Sequence, residues 1–279
     1  MNIHISASEL AILTGHNTYR DKKELYVKYW KKYWKSDYEQ TVAYLKTKGK
    51  KAKLPETSSE TVQRIARENN VSKAEVSKIF QASKEKDTSK MNNVKENVLK
   101  KVLNQIPENQ RSEFTKSANS VAYTGFGTRN ETNAVQVYEN LTGIKVKTLN
   151  EYFHDDIFII EDTPNKPDIW SIGGKVDGMF LKDGIESVLE IKNRMKGLFN
   201  SLRDYEKIQC YAYMFMLNLK CVHLAECYKK DCGDAEMNII EIEWDDNFWF
   251  NEVVNKLSEF VDDFYDFLKK KDRKIKMLE

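Results

Sequence analysis

The hydrophobic positions of this chain change their period along its length, and the changes divide it into three stretches. In residues 8–35, apolar Leu10, Ile12 and Leu13 precede the break GHNTYR, and Leu25, Val27, Tyr29 and Trp30 follow it, which predicts two helices. Residues 36–118 are polar, lysine-rich and helix-prone, with too little Gly and Pro for a simple flexible linker, and predict an inserted helical subdomain. From Gly125 the pattern becomes mixed α/β: GFGT is expected to turn into a helix over 129–142 that stops at Gly143. Residues 157–160, 169–180 and 187–192 then read as successive strands, 204–218 as an amphipathic helix, and 221–228 and 237–244 as two more strands. Asp245 or Asp246 can cap a last helix that carries Phe248, Val253, Leu257, Phe260, Phe264 and Leu268 at helical spacing. This order predicts an α/β fold with a mixed central sheet flanked by helices, not a doubly wound dinucleotide fold. The expected division is 1–35 as N-terminal helices packing on the core, 36–118 as the helical insertion, and 119–279 as the core itself.

Inside the insertion, residues 60–81 (ETVQRIARENNVSKAEVSKIFQ) have helix-turn-helix spacing. Ile65 and Ala66 lie on the first helix, Asn69-Asn70 suit the turn, and Val71, Val76 and Ile79 complete the apolar side. The second helix would present Ser72, Lys73, Ser77 and Lys78 outward, either to a DNA groove, with Lys73 and Lys78 as contacts, or to solvent as part of a hairpin packed on the core.

At 279 residues, 41% hydrophobic and 32% charged, the chain can bury a full core. It has neither a membrane-spanning apolar run nor a signal-peptide core in MNIHISASEL, so the expectation is a soluble, intracellular protein. The net charge of +2 does not announce a nucleic-acid partner, but lysines crowd residues 28–53 among Tyr29, Trp30, Tyr33 and Trp34. Such a stretch can neutralise phosphates and stack on bases, or it can be a helix with a solvated lysine face. Cys210, Cys221, Cys227 and Cys232 contain no close CxxC pair, so neither a disulfide framework nor a zinc site is well supported; they read as reduced structural thiols, with a metal or iron–sulfur cluster as the other reading. No GxxxxGKS phosphate loop exists, which counts against an NTPase.

The candidate chemistry lies on IWSIGGKVDGMF and SVLEIKNR, joined by the short turn KDGIE. Glu190 and Lys192 alternate at a spacing of two and therefore share one sheet face, while Ile191 points into apolar packing. Burying a glutamate and a lysine on an otherwise apolar strand is costly unless they pair or bind something. A hard divalent cation satisfies them: Asp177, Glu190 and the carbonyl of Ile191 supply oxygens of the kind Mg²⁺ or Mn²⁺ prefers, and Lys192 can orient or deprotonate a water beside it. Glu131, on the helix that precedes the strands, is a candidate third carboxylate, and Gln209 and Tyr213 share a helical face four residues apart. A structural Asp with a surface Glu–Lys pair would leave the same residues in the sequence.

The order Glu131, Asp177-Gly178, Glu190-Ile191-Lys192 and Gln209 resembles the E…DG…ExK…Q signature of the lambda exonuclease and YqaJ-type viral recombinase branch of the PD-(D/E)XK nucleases. The resemblance covers ISASEL and most of 123–260 and leaves 36–118 over. It implies a restriction-endonuclease-like fold, metal-dependent cleavage of double-stranded DNA, and catalytic roles for Glu131, Asp177, Glu190, Lys192 and Gln209, with Tyr213 as a possible DNA contact. It also implies a 5′-to-3′ exonuclease of recombination or replication, with a single-strand annealing protein and further copies of the chain as possible partners. ISASEL looks like the family's serine motif, which makes Ser6 and Ser8 candidates for holding a DNA phosphate; helix N-capping is their other reading. The arginine that lambda-type enzymes carry ahead of that motif has no counterpart in MNIH, which keeps endonuclease action in contention. RNA cleavage, or a scaffold that keeps the fold without activity, are further alternatives.

Overall fold

The computed structural model describes residues 1–52, 56–85, 87–161, 166–229 and 234–279. Two mixed sheets form its centre. In the first, β1 (Asn2–Ser6) runs parallel to β4 (Asp168–Gly174), whose other edge pairs antiparallel with β3 (Phe153–Ile160). In the second, the order is β2 (Val146–Lys147), β5 (Gly178–Lys182), β6 (Ile185–Asn193), β7 (Cys221–Tyr228) and β8 (Glu236–Glu243). β6 and β7 are parallel, and the crossover this demands is the helix α8 (Asp204–Leu217). Asp183 and Gly184, with φ of 53° and 79°, make the left-handed pair that closes the β5–β6 hairpin.

Two corrections to the strand pattern bear on the site. The stretch 169–180, expected as one strand, is two: β4 ends at Gly174 in the first sheet and β5 starts at Gly178 in the second, so Asp177 stands at the seam between them. Each glycine marks a close approach. A side chain on Gly174 would meet Tyr213 Cε1 at 3.2 Å and Ala7 Cβ at 3.3 Å, and one on Gly178 would overlap Val146. The strand β1 was not expected at all. Ile3 and Ile5 are fully buried, but only the register Ile3↔Trp170 and Ile5↔Ile172 gives their alternation a partner.

The helices α1 (Ala7–Leu13) and α2 (Lys22–Tyr33) follow β1, and α3 (Lys35–Thr47) packs on α2 and on the C-terminal α10 (Lys271–Leu278). The sequence pattern groups α3 with the insertion, but Tyr38 and Leu45 belong to the main core, so the inserted helices start later. Tyr29 and Trp30 are fully buried against Trp170, Tyr38 and Phe267, and Tyr33 and Trp34 pack on the same core. Tyr29 and Trp30 are therefore not available to stack on bases. Its lysines form a solvated face, with Lys28 Nζ 2.6 Å from Glu9.

The helix-turn-helix spacing folds as read. Thr57 and Glu60 form a capping box on α4 (Ser58–Glu68), Asn70 takes φ of 56° in the turn, and Ser72 caps α5 (Lys73–Ala82). Val62, Ile65, Val71, Val76 and Ile79 close a small core with α6 (Thr88–Leu103) and the first half of α7 (Glu108–Thr142), leaving Lys73 and Lys78 exposed. α7 is one helix of 35 residues, about 52 Å long. GFGT is thus not a turn but helix, and residue 118 is no boundary. Gly125 is needed because a side chain there would press on Ser83 Cβ at 2.8 Å. The helix stops where expected, at Gly143 with φ of 72°.

After β8, a π-helical segment (Phe248–Val254) runs on into α9 (Asn255–Lys269), which precedes α10. Asp245 caps it, accepting from the amides of Asn247 and Phe248. Among the described residues no helix is long and apolar enough to cross a membrane.

Candidate nuclease centre

Period-two alternation on β6 turns Glu190 and Lys192 toward α8, while Leu189 and Ile191 turn toward α7 and pack with Tyr138. Lys192 Nζ lies 2.6 Å from Glu190 Oε1 and donates to Gln209 Oε1 at 2.9 Å. The other end of the same amide donates to Glu190 Oε1 at 3.0 Å and to the Tyr213 hydroxyl at 2.7 Å. Gln209 thus ties the glutamate to the lysine, and Tyr213, one turn further along α8, fixes the amide. Tyr213 itself is only 4% exposed, and its hydroxyl is turned to the Gln209 amide.

Asp177 joins the pair from the sheet seam. Its Oδ2 accepts from the Ile191 amide at 2.7 Å, and since N–H and C=O of one strand residue point to the same side, the Ile191 carbonyl also faces the Asp177 side. Burial, then the charge of Glu190, push the Asp177 carboxyl up to about 8. Glu131 reaches the cluster from the second half of α7. Its carboxyl is raised by burial and by Glu190, and the Thr128 hydroxyl hydrogen-bonds it from one turn back. Lys192 is held in its ammonium form: burial opposes the charge, but the carboxylate of Glu190 outweighs burial and raises its pKa.

These residues fit a divalent cation. Three carboxylates and a backbone carbonyl face one ammonium in a half-buried space, and the surplus negative charge is relieved either by protons, as the raised Asp177 shows, or by a cation with a preference for oxygen. One consequence is measurable. Asp177 carries a proton in the folded metal-free chain up to about pH 8 but ionises near 3.8 when unfolded, so stability falls as pH rises between those values. Asp177→Asn is expected to raise metal-free stability at pH 7 by about 2 kcal/mol in chemical denaturation, and to flatten that pH dependence. A less stable Asn variant would show that Asp177 does not stand among uncompensated carboxylates.

Ser6 and Ser8 sit at the junction of β1 and α1, their hydroxyls 3.0 Å apart. The Ser6 hydroxyl makes no capping bond, so N-capping does not account for it. Ala7, between them, packs at Gly174 beside Tyr213, which places the serine pair next to the seam.

Sequence reasoning missed four residues that support the cluster. Arg194, the next position in the Glu190–Lys192 alternation, forms a buried ion network: its guanidinium takes Glu206 in two bonds of 2.7 and 2.9 Å and Glu226 at 2.7 Å. Glu206 stands one turn before Gln209 on α8, and Glu226, wholly buried, also accepts from the amide of Asn200 at 2.9 Å. Asn193 donates to the Gly127 carbonyl at 2.9 Å and holds α7 beside the end of β6, one turn from Glu131. The signal was present in E-I-K-N-R, but a motif that ends at lysine hides it. Cys210, Cys221 and Cys227 are free thiols, and Cys232 lies outside the described residues.

Comparison with known proteins finds solved structures and one family that resemble this chain. Alkaline exonuclease from Laribacter hongkongensis is similar at 16% identity over 72% of this chain and 92% of its own, with a TM-score of 0.40. Its complex with dAMP is similar at 18% identity over 72% and 93%, with a TM-score of 0.40. A phage related exonuclease from Haemophilus somnus 129PT is similar at 15% identity over 52% and 70%, with a TM-score of 0.35. Among curated proteins none matches. The family profile of the YqaJ-like viral recombinase domain matches residues 64–219, a span that takes in Glu131, Asp177, Glu190, Lys192 and Gln209 and more than half of the chain. The chain therefore belongs to the YqaJ-like viral recombinase domain family.

Proposed function

We propose that this chain is a metal-dependent DNA nuclease that digests double-stranded DNA from 5′ ends during recombination or replication. The observation that carries the reading is the convergence of Glu190 and Lys192 on the Gln209 amide, with Asp177 bonded to the Ile191 amide beside them and Glu131 facing them from α7. Glu131, Asp177, Glu190 and the Ile191 carbonyl would hold Mg²⁺ or Mn²⁺. When bound, the cation supplies positive charge at the scissile phosphate and makes an attacking water more acidic. Lys192, as an ammonium, donates to that water or to a phosphate oxygen and offsets charge that develops there. Gln209 fixes the lysine and the glutamate in one arrangement, so little reorganisation is needed when the phosphate arrives. The products are a 5′-phosphate and a 3′-hydroxyl. Ser6 and Ser8 hold a backbone phosphate at the seam. Membership of a viral recombinase family supports DNA as the substrate.

The polarity is tested by giving the purified chain, with Mg²⁺, linear duplexes bearing 5′-phosphate or 5′-hydroxyl ends alongside closed circular DNA. Stepwise loss from 5′-phosphorylated ends with circles intact is expected. Nicked or linearised circles would replace the exonuclease with an endonuclease, and no cleavage of DNA or RNA would leave a scaffold.

The helix-turn-helix supplies a second DNA grip. Its core meets α7 at Ala118, and 13 residues of helix separate Ala118 from Glu131, roughly 20 Å along the axis, so a duplex can lie across both. Lys73→Ala with Lys78→Ala is expected to weaken DNA binding and to lower the slope of log K against log salt by about 2. An unchanged slope would assign α4 and α5 to packing alone.

A further inference from the structure

The face of the second sheet turned away from Glu190 and Lys192 carries another set of ligands. Cys221 and His223, two apart on β7, share this face, and Glu241 on β8 stands directly across from His223 in the antiparallel register. One donor atom from each of the three, Sγ, a ring nitrogen and a carboxylate oxygen, lies within 4.8 Å of the others. His223 is 4% exposed, and its Nδ1 is 2.7 Å from the Tyr138 hydroxyl. Its Nε2 is buried and lies 3.2 Å from Glu241 Oε2, outside the alignment of a good hydrogen bond. An imidazole with one nitrogen held by an outer group and the other turned to a carboxylate, with a thiol close by, is the arrangement of a metal ligand.

We propose that Cys221, His223 and Glu241 bind one Zn²⁺ ion, which clips the edge strand β8 to β7 and, through Tyr138, to α7. A thiol, an imidazole and a carboxylate make a borderline-soft set that suits zinc and not the oxygen-seeking cation of the nuclease centre. Zinc bonds of about 2.0–2.3 Å put tetrahedral ligand atoms roughly 3.5 Å apart, which the half-exposed Glu241 side chain can meet by a small turn. A groove of about 460 Å³ lined by Lys182, Ser187, Cys221, Glu241 and Trp244 opens on Cys221 and Glu241 and has room for a water as fourth ligand. Lys182, now 2.9 Å from Glu241 Oε2, is partly exposed and can give up that contact. The Cys221 thiol loses its proton to solvent when the ion binds.

The test uses the full chain with Asp177→Asn and Glu190→Gln to silence the oxygen site, stripped with a chelator and titrated with Co²⁺. One equivalent is expected to give a thiolate-to-cobalt charge-transfer band and tetrahedral visible bands, and Zn²⁺ should displace it. Cys221→Ser should abolish the charge-transfer band, and His223→Gln or the mild surface change Glu241→Gln should weaken binding at least about tenfold. Zn²⁺ should raise the thermal midpoint when the trio is intact and not in Cys221→Ser. No thiolate band, or one that survives Cys221→Ser, would overturn the proposal, the second by assigning the metal to other cysteines.

Discussion

Glu190→Gln is expected to lower cation-dependent cleavage of linear DNA by about 10²- to 10⁴-fold while the chain stays folded. Glutamine keeps the shape of glutamate, and its Oε1 can still accept from Lys192 and Gln209, so the hydrogen-bonded frame survives. What disappears is the charge that draws the cation. Lys192→Ala should lose activity to a similar extent for a different reason, since the carboxylates remain while the ammonium beside them is gone. The pair of variants separates two effects. Glu190→Gln should bind Mg²⁺ or Mn²⁺ weakly by calorimetry, whereas Lys192→Ala should still bind it and yet cleave slowly. Cleavage at the unmodified rate by either variant would remove this cluster from the chemistry altogether.

Arg194→Ala is expected to have the largest effect on stability. Its guanidinium lies between Glu206 and Glu226, both nearly or wholly buried, and it stacks over the Phe199 ring with 4.1 Å to the centroid. Removing one partner of a buried network leaves the others charged and dry, a loss of about 3–5 kcal/mol, or roughly 10 °C in thermal midpoint for a chain of this size. Lysine should not rescue it, because a single ammonium cannot take Glu206 in two bonds and Glu226 in a third. Replacing all three charges together, with Arg194→Met, Glu206→Gln and Glu226→Gln, should recover part of the loss, because no charge is then left unpaired. A midpoint within 2 °C of the unmodified chain for Arg194→Ala would contradict the network. Activity should fall as well: Glu206 precedes Gln209 by one turn, and Glu226 holds the chain at Asn200 just before α8 starts, so the network sets where the amide meets Lys192.

Asp177→Asn shows the other side of the same electrostatics. The centre collects carboxylates that burial and mutual repulsion disfavour, and a chain without them should be sturdier and inactive. The Arg194 network has the opposite character, with its charges compensated inside the protein and nothing left to bind. The two meet at the end of β6, where the alternation runs from Glu190 through Lys192 to Arg194, one residue past the strand.

The sequence was most legible where period alone decides direction. Glu190 and Lys192 must share a face because they are two apart on a strand, and Gln209 and Tyr213 because they are four apart on a helix; both relations hold. Asp183-Gly184 announced the hairpin, Gly143 the end of α7, and Ile65, Val71, Val76 and Ile79 the packed side of α4 and α5. Partial correctness came where a local pattern was compatible with two packings. Glycines in GFGT suggested a turn, but Gly125 is a contact point for Ser83 inside a helix. Aromatics among lysines suggested stacking on bases, but Tyr29 and Trp30 face the core.

By itself the sequence determined most of the helices and strands, the shared faces of Glu190 with Lys192 and of Gln209 with Tyr213, and, through the order of Glu131, Asp177, Glu190, Lys192 and Gln209, the family. These follow from the fixed geometry of helix and strand, which needs only neighbouring residues. The tertiary structure decided which faces meet: that the run from β4 to β5 breaks at Asp177 between two sheets, that β1 pairs with β4, that Arg194 finds Glu206 and Glu226, and that Cys221 and His223 come opposite Glu241. Those choices depend on strand register and on how helices cover the sheets, and they are set by burying surfaces distant in the chain, such as Ile3 and Ile5 beside Trp170 and Ile172.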